Sequence, residues 1–446
     1  MQLPQTFVPP LRTGAPGVHA PTASPISPVS LWDLTAGEPP PLVPLDGDTL
    51  TEVAIVGGGF TGLSTALHLA EAGIDCRVLE AGRIGQGGSG RNVGLVNAGL
   101  WLPPKQVRDR LGEERGARLI EALGAAPDVV FSLIDRHRMR CECTRTGTLH
   151  AAHSAAGFED LARRHEQWRD LGAPVELLSA HDAAARIGSE AFHGALLDRR
   201  AGTINPMGYA RGLARAAHEA GARLHTDTCV TRLTRHGEHW RLDTPAGSVS
   251  ARSVVLATNA YTDALWPGLA RTVTPIHYFQ LATEPLGERA AHILPQRQGL
   301  WDTGRIMFSL RRDAADRLII GSMGRVIGGS RGLSERWAQH TLRRLFPALG
   351  EVRFEHRWHG RIAMTPDHLP RIHRLAENLY TPIGYNGRGI APGTLFGRAI
   401  AERLNGGSDD NLPMPPSEPR PVAAGRVATR LYGAAFAANQ WVRSLT

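Results

Sequence analysis

The sequence predicts an α/β fold: a Rossmann-like unit joined to a layer of antiparallel strands. Three observations carry this expectation. Residues 53–80 read VAIVGGGFTGLSTALHLAEAGIDCRVLE, an apolar run, a glycine turn, a helical pattern and a second apolar run ending in an acid. Residues 253–257 (SVVLA) are a continuous apolar run, as in a strand buried on both faces. Between 272 and 325, short β-like runs at 278–282, 305–310 and 318–321 alternate with turns such as Ala314-Ala315-Asp316. The chain has 446 residues, more than one ordinary core holds, so two domains are expected.

Residues 1–50 contain eleven prolines and read as an extended arm, anchored by Leu31, Trp32 and Leu34. The Rossmann-like unit starts at Thr51. Gly57, Gly59 and Gly62 have the G-x-G-x-x-G spacing. The first makes a tight turn, the second admits a pyrophosphate to the backbone, and the third lets the helix pack on the strand. The helix N-terminus points N–H groups at the phosphates. Glu80 lies 80 − 57 = 23 positions after Gly57, where a carboxylate accepts hydrogen bonds from ribose hydroxyls. Strand, turn, helix, strand and acid in this order imply a bound dinucleotide. Leu63, Ala66, Leu67 and Ala70 form the buried helix face, Gly73 is the stop, and 76–79 is the next strand.

A second glycine-rich patch holds Gly85, Gly87, Gly88, Ser89, Gly90, Arg91, Asn92 and Gly94. Either its backbone packs against a cofactor or it is a flexible connection. Residues 105–190 alternate helical patterns with arginine-rich faces, one of them through Phe158, Leu161 and Trp168. His165-Glu166 has no ligand partner at helical spacing and reads as surface. Asn205 caps and Pro206 starts a helix whose stripe is Tyr209, Leu213, Ala216 and Ala217. Gly221 stops it, and 223–226 is a strand. Thr258 and Asn259 follow SVVLA at the carboxyl end of its strand, where α/β sheets bind ligands. A strand at 379–383 runs into Gly384-Tyr385-Asn386-Gly387-Arg388-Gly389 and then a helix with Phe396, Ala399, Ile400 and Leu404 on one face. This is another anion-ready helix start. Residues 412–421 are proline-rich, and 427–442 form a closing helix.

Net charge is +8 and the pI about 9.9, but the arginines are spread along the chain rather than gathered in a stripe. A nucleic-acid binder is therefore not expected. Lys105 is the only lysine, so a lysine-dependent mechanism has one candidate. Cys76, Cys141, Cys143 and Cys229 form no C-x-x-C pair, and no metal site is expected. Neither a leader segment nor a run of ~18 apolar residues is visible, so a cytoplasmic protein with reduced thiols is expected. Nothing in the sequence specifies an oligomeric state.

GGGFTGLSTALHLAEAG, LEAGRIGQGGSGRNVG, VLATNAY, ATEPL and GYNGRG before a helix, in this order, resemble the FAD-dependent amine and amino-acid oxidoreductases of the D-amino acid oxidase superfamily. Within it the resemblance is to the γ-glutamylputrescine oxidoreductase branch, which also has a proline-rich arm. It spans roughly residues 30–445. The resemblance implies a Rossmann-like FAD-binding domain from discontinuous segments (51–100, 195–262 and 366–446). It also implies a substrate domain on a mixed or antiparallel sheet with helices (101–194 and 263–365). It places Gly57, Gly59 and Gly62 at the pyrophosphate and Glu80 at the adenosine ribose, with Phe60, Thr61 and Ala81 also in the cofactor set. Gly88, Ser89, Arg91, Asn92 and Gly94 would pass the isoalloxazine. Val230, Thr258 and Asn259 join the cofactor set. Gly384, Asn386, Gly387, Arg388, Gly389 and Ile390 would lie over the flavin's N1/C2 carbonyl edge.

The departures narrow this picture. No cysteine lies near Thr365-Pro366-Asp367, so FAD is expected to be non-covalent. Ala391 stands where relatives place a carboxylate-holding lysine, and 318–321 lacks their oxygen-activating lysine. Arg388 stands where relatives often have histidine: it serves the flavin or an acidic substrate group, or it is a surface fork paired with an acid. The implied activity is oxidation of an amine C–N bond by hydride transfer to flavin N5, imine hydrolysis and reduction of O2 to H2O2. The substrate would be a γ-glutamylputrescine-like polyamine derivative or an amino acid. A dehydrogenase using another acceptor, a non-catalytic FAD subunit needing a partner chain and an NAD(P)-dependent dehydrogenase are the alternatives. His277, Tyr278 and His359 are the candidates for selecting or deprotonating the neutral amine, unless structural hydrogen bonds occupy them. Trp101 and Trp358 wall the pocket or belong to the core.

Overall fold

The computed structural model describes residues 29–39, 43–423 and 425–444. The arm before residue 29 lies outside them. Two eight-stranded sheets organise the chain. In the first, the strands run Arg371–Ala376, Leu379–Ile383, Gly247–Leu256, Thr49–Val56, Cys76–Leu79 and Arg223–His225, and an antiparallel hairpin, Arg232–His236 and His239–Thr244, pairs with Gly247–Leu256 off this path. Strands 49–56, 76–79, 223–225, 247–256 and 379–383 pair in parallel, and the edge strand 371–376 is antiparallel. Alternation along 49–56 divides the side chains. Val53 and Ile55 pack with helices Phe60–Glu71, Pro206–Glu219 and Ile390–Leu404. Ala54 and Val56 turn to a second core with Trp240 and Leu242 of the antiparallel hairpin.

Helix 60–71 starts at Gly59, which has no side chain to cap it. Helix 390–404 crosses it closely: a Cβ on Gly397 would stand 2.5 Å from the Thr61 carbonyl. Ser64 Oγ donates to the Thr394 carbonyl (2.7 Å), and Thr61 and Tyr385 share a buried hydroxyl bond of 2.8 Å. The C-terminal glycine loop is thereby fixed to the N-terminal one.

The second sheet runs Phe354–Met364, Thr274–Thr283, Leu318–Met323, Phe308–Arg312, Gly299–Asp302, Thr148–Ala151, Ala195–Asp198 and Val175–Leu178, mostly antiparallel. Phe279 and Leu281 face a core with Trp337, Ala338 and Leu342 of helix Leu333–Leu345.

Four expectations need correction. Leu34 does not anchor the arm: helix Leu31–Thr35 has five residues and buries one face, so Leu31 and Trp32 are covered while Leu34 is 64% exposed. The strand expected at 305–310 lies at 308–312, because the Asp302 carboxylate accepts the Phe308 N–H and holds the preceding residues as a turn. Strand 195–198 belongs to the second sheet, although 195–262 was assigned to the nucleotide-binding segments. Conversely, helices Glu113–Gly124 and Ala126–Arg136 share the first core, and the last helix, Gly425–Val442, packs on strand 274–283 and helix 333–345.

Candidate active site

The carboxyl ends of strands 49–56 and 247–256 open into a cavity of about 2110 Å³ that reaches the second sheet. Ordinary small-molecule sites occupy ~300–1,000 Å³, so this one has room for a dinucleotide and a further ligand. At one end, Gly57 has φ +111°, and an added Cβ would stand 2.9 Å from the Ala257 carbonyl. A Cβ on Gly62 would stand 2.0 Å from the Gly57 carbonyl, so this glycine sets how closely helix and turn approach. Ser89 Oγ accepts the Phe60 N–H at 3.0 Å and ties the second glycine patch to the first. Glu80 Oε2 accepts from Gly58 N–H (2.7 Å) and Oε1 from Gly82 N–H (2.9 Å). Burial raises its pKa, and these two bonds oppose the rise. Each carboxylate oxygen keeps a lone pair for a ribose hydroxyl.

Gly57, Gly59, Phe60, Thr61, Glu80, Ala81, Gly88, Ser89, Arg91, Asn92, Val230, Thr258, Asn259, Asn386, Gly387, Gly389 and Ile390 border the cavity. Gly62, Gly94, Gly384 and Arg388 are not on its wall. The first three act on the backbone instead. Gly94 (φ +84°) admits the Ile204 carbonyl, and Gly384 (φ +82°) donates its N–H to Asn259 Oδ1 at 3.0 Å. Asn386 Oδ1 accepts the Thr365 N–H at 2.8 Å, which pins the loop to strand 354–364. A glycine cradle at parallel strand ends, an uncapped helix start and a buried acid suit the adenosine and pyrophosphate of FAD.

Arg388 matches neither expectation. It is buried, donates to the Ala98 carbonyl at 2.8 Å, and its guanidinium packs against both the Trp101 and Trp301 rings, 4.7 and 4.8 Å from their centroids, which are themselves in edge contact at 4.9 Å. Burial lowers its pKa to about 9, so it remains a cation. Trp301 stacks in turn on His150 at 3.4 Å. Trp101 and Trp301 border the cavity, but Trp358 does not. Trp358 is wholly buried beside Trp32 and donates Nε1–H to the Arg91 carbonyl.

His277, Tyr278 and His359 all border the cavity, with Tyr278 on the opposite face of strand 274–283 from His277. Pairing of strands 274–283 and 354–364 sets Arg361 opposite His277 and His359 opposite Phe279, which brings the two imidazoles to 5.5 Å. Burial, followed by the Arg325 charge, lowers both pKa values to about 4. Both rings are therefore neutral at pH 7. Tyr278 is different: its hydroxyl is held by Ser309 Oγ (3.0 Å) and the Gly321 carbonyl (3.1 Å), and burial pushes its pKa up. Its proton is committed to the sheet.

Sequence reasoning missed three groups that border the cavity. Arg305, Arg325 and Arg361 border the cavity, and no carboxylate lies within ion-pair distance of them among the described residues. Gln280 is 1% exposed, borders the cavity, and has no hydrogen-bond partner for either amide atom among the described residues. Buried amides are rarely left so, and the arrangement suits a ligand group that both donates and accepts. Trp301 completes the aromatic wall. The detectable signal was the alternation Ile276, Tyr278, Gln280 along one strand; the partner's register was not visible.

The FAD dependent oxidoreductase (DAO) family model matches residues 52–403. γ-Glutamylputrescine oxidoreductase of Escherichia coli (strain K12) is 33% identical over 385 residues, 85% of this chain and 89% of its own. A probable oxidoreductase, OrdL, of Rhizobium meliloti (strain 1021) is 29% identical over 87% of this chain and 91% of its own. The crystal structure of glycine oxidase from Geobacillus kaustophilus shares the fold with a TM-score of 0.67, covering 80% of this chain and 95% of its own at 22% identity. With the family match running from the first strand to the helix behind the C-terminal glycine loop, and a relative one-third identical over most of both chains, the chain belongs to the DAO family of FAD-dependent oxidoreductases.

Proposed function

We propose that the chain oxidises a C–N bond of an amine that also carries an anionic group, with γ-glutamylputrescine or a related polyamine derivative or amino acid as substrate. The observation that carries this reading is the far wall of the cavity, where two neutral imidazoles stand beside Arg325 and Arg361, which have no carboxylate partner among the described residues. Similarity to γ-glutamylputrescine oxidoreductase supports the same substrate class.

FAD, when bound, supplies the two-electron acceptor for the amine's α-C–H. In this reading Gly57, Gly59 and the start of helix 60–71 hold its pyrophosphate, Glu80 its ribose, and the loops at 88–92 and 386–390 its flavin end. His277 and His359, both neutral, accept a hydrogen bond from the incoming amine, and the neighbouring Arg325 and Arg361 charges disfavour its ammonium form, leaving the neutral amine that oxidation requires. Arg325 and Arg361 pair with the substrate's anionic group and orient it. Gln280 satisfies its amide against the bound ligand. Tyr278 braces the sheet. Water then hydrolyses the imine to a carbonyl compound and a free amine.

The acceptor of the electrons has a second reading, favoured by one observation. Lys105, the only lysine, is 74% exposed on its helix and pairs with Asp109 at 3.2 Å, away from the cavity. An acceptor other than O2 then replaces oxidase chemistry.

The test is anaerobic bleaching of the flavin absorbance by a panel of γ-glutamylputrescine, putrescine, glycine, proline and D-amino acids. Bleaching by γ-glutamylputrescine well ahead of putrescine is expected. No bleaching by any amine would support the non-catalytic subunit instead. Peroxide release on readmitting air separates oxidase from dehydrogenase.

A further inference from the structure

Among the described residues, the last helix, Gly425–Val442, packs on strand 274–283 and helix 333–345 by one side only. Phe436 and Gln440 are buried under it; Gln440 accepts from Ser334 Oγ at 2.8 Å and donates to the Arg325 carbonyl at 3.1 Å. At about 100° per residue, Val427, Leu431, Trp441 and Val442 fall on the opposite side, within about 100° of one another. They are 57%, 66%, 58% and 49% exposed. Ala434 and Ala438 lie between them and are exposed as well. A helix that is apolar on both faces, with one left in water, is outside the pattern of a surface helix.

The charge of the segment that carries this face is one-signed in sequence. Residues 419–446 contain four arginines (Arg420, Arg426, Arg430 and Arg443) and neither aspartate nor glutamate. Arg430 is exposed at the border of the apolar stripe. Two such faces would meet with like charges. The helix is also about 27 Å long and about 10 Å wide, short of the ~800 Å² per partner of a stable protein interface. Apolar side chains with tryptophan, ringed by arginine, suit the boundary of a bilayer with anionic headgroups.

We propose that helix 425–442 docks the enzyme peripherally on an anionic lipid surface, with Leu431 and Trp441 entering the headgroup boundary and Arg430 pairing with lipid phosphate. None of these residues touches the cavity, so the proposal stands apart from the reading of the active site.

Co-sedimentation of the FAD-loaded, full-length protein with vesicles tests it. One set contains phosphatidylcholine with phosphatidylglycerol, and the other phosphatidylcholine alone. Sedimentation with the anionic set only, released by about 0.5 M salt, is expected. Leu431→Ser with Val442→Ser should weaken it about tenfold while flavin absorbance and melting temperature stay unchanged. Trp441→Leu should keep the binding and lose the fluorescence quenching by brominated lipid. Equal sedimentation of the double serine variant, or none of the parent, overturns the proposal. So does a dimer in light scattering that Leu431→Ser dissociates without any vesicle binding, which would assign the face to a second copy.

Discussion

Gly62→Ala tests whether the glycine cradle is built by packing rather than by contact with ligand. Gly62 does not border the cavity, yet its added Cβ would lie 2.0 Å from the Gly57 carbonyl and 3.2 Å from Ile55 Cγ2. The 2.0 Å contact is with backbone, so no side chain can rotate away. Helix 60–71 and the turn must separate by more than 1 Å. Overpacking of this kind costs about 1–3 kcal/mol. The displaced turn also strains the Gly57 N–H bond to the Leu79 carbonyl (2.9 Å), worth about 1 kcal/mol. A loss of about 2–4 kcal/mol follows, shared between fold stability and FAD binding. If half falls on binding, FAD affinity drops roughly 5- to 30-fold. Gly59→Ala is the internal control, because its Cβ meets only the movable Ser89 side chain, with Oγ at 2.8 Å, and borders the cavity. It should weaken FAD binding and leave the FAD-free protein nearly as stable as the parent. Urea unfolding of both FAD-free proteins and fluorescence titration with FAD give the two numbers. A Gly62→Ala protein with parental urea midpoint and FAD affinity would refute the reasoning.

Other substitutions separate structural from reactive roles. Gln280→Leu removes two unpaired buried amide atoms, so the FAD-free protein should lose no more than about 1 kcal/mol in urea while amine-dependent flavin bleaching slows. A large destabilisation would mean that the amide is satisfied within the fold. His277 and His359 have folded pKa values lowered to about 4. Their contribution to stability is complete above the unfolded value of about 6.5 and is lost as the pH falls from there toward 4. Melting curves across that window should slope less for the His277→Gln, His359→Gln double variant, and identical slopes would contradict the lowered values. Arg388→Lys keeps the charge but loses the guanidinium's contacts with the Trp101 and Trp301 rings, and should destabilise the protein by about 1–3 kcal/mol in urea.

The nucleotide end was legible because its signals are local. The glycine spacing at 57–62, the strand at Cys76–Leu79, the Asn205 cap and the strand at Leu379–Ile383 each depend on residues within one turn or strand. The far wall was not legible to the same degree. Arg361 reaches His277 only through the register of two strands about eighty residues apart in sequence. Arg325 and Arg305 follow or precede strands and carry no pattern of their own. Arg388 sits in a motif that was recognised, but its direction is decided by Trp101 and Trp301, which come from two other segments. Leu34 differs for a simpler reason, since a five-residue helix has too few turns to bury two faces.

The order of strands in the first sheet has a consequence for biosynthesis. Strand 49–56 is central, but its neighbour 247–256 is made nearly two hundred residues later, and 379–383 later still. At about 5–20 residues per second, roughly 20–70 s pass between emergence of the first strand and the last. During that interval Ile55, Leu63 and Leu67, which end buried against helices 206–219 and 390–404, lack most of their final cover. Translation speed and chaperone access should therefore govern the yield of soluble protein.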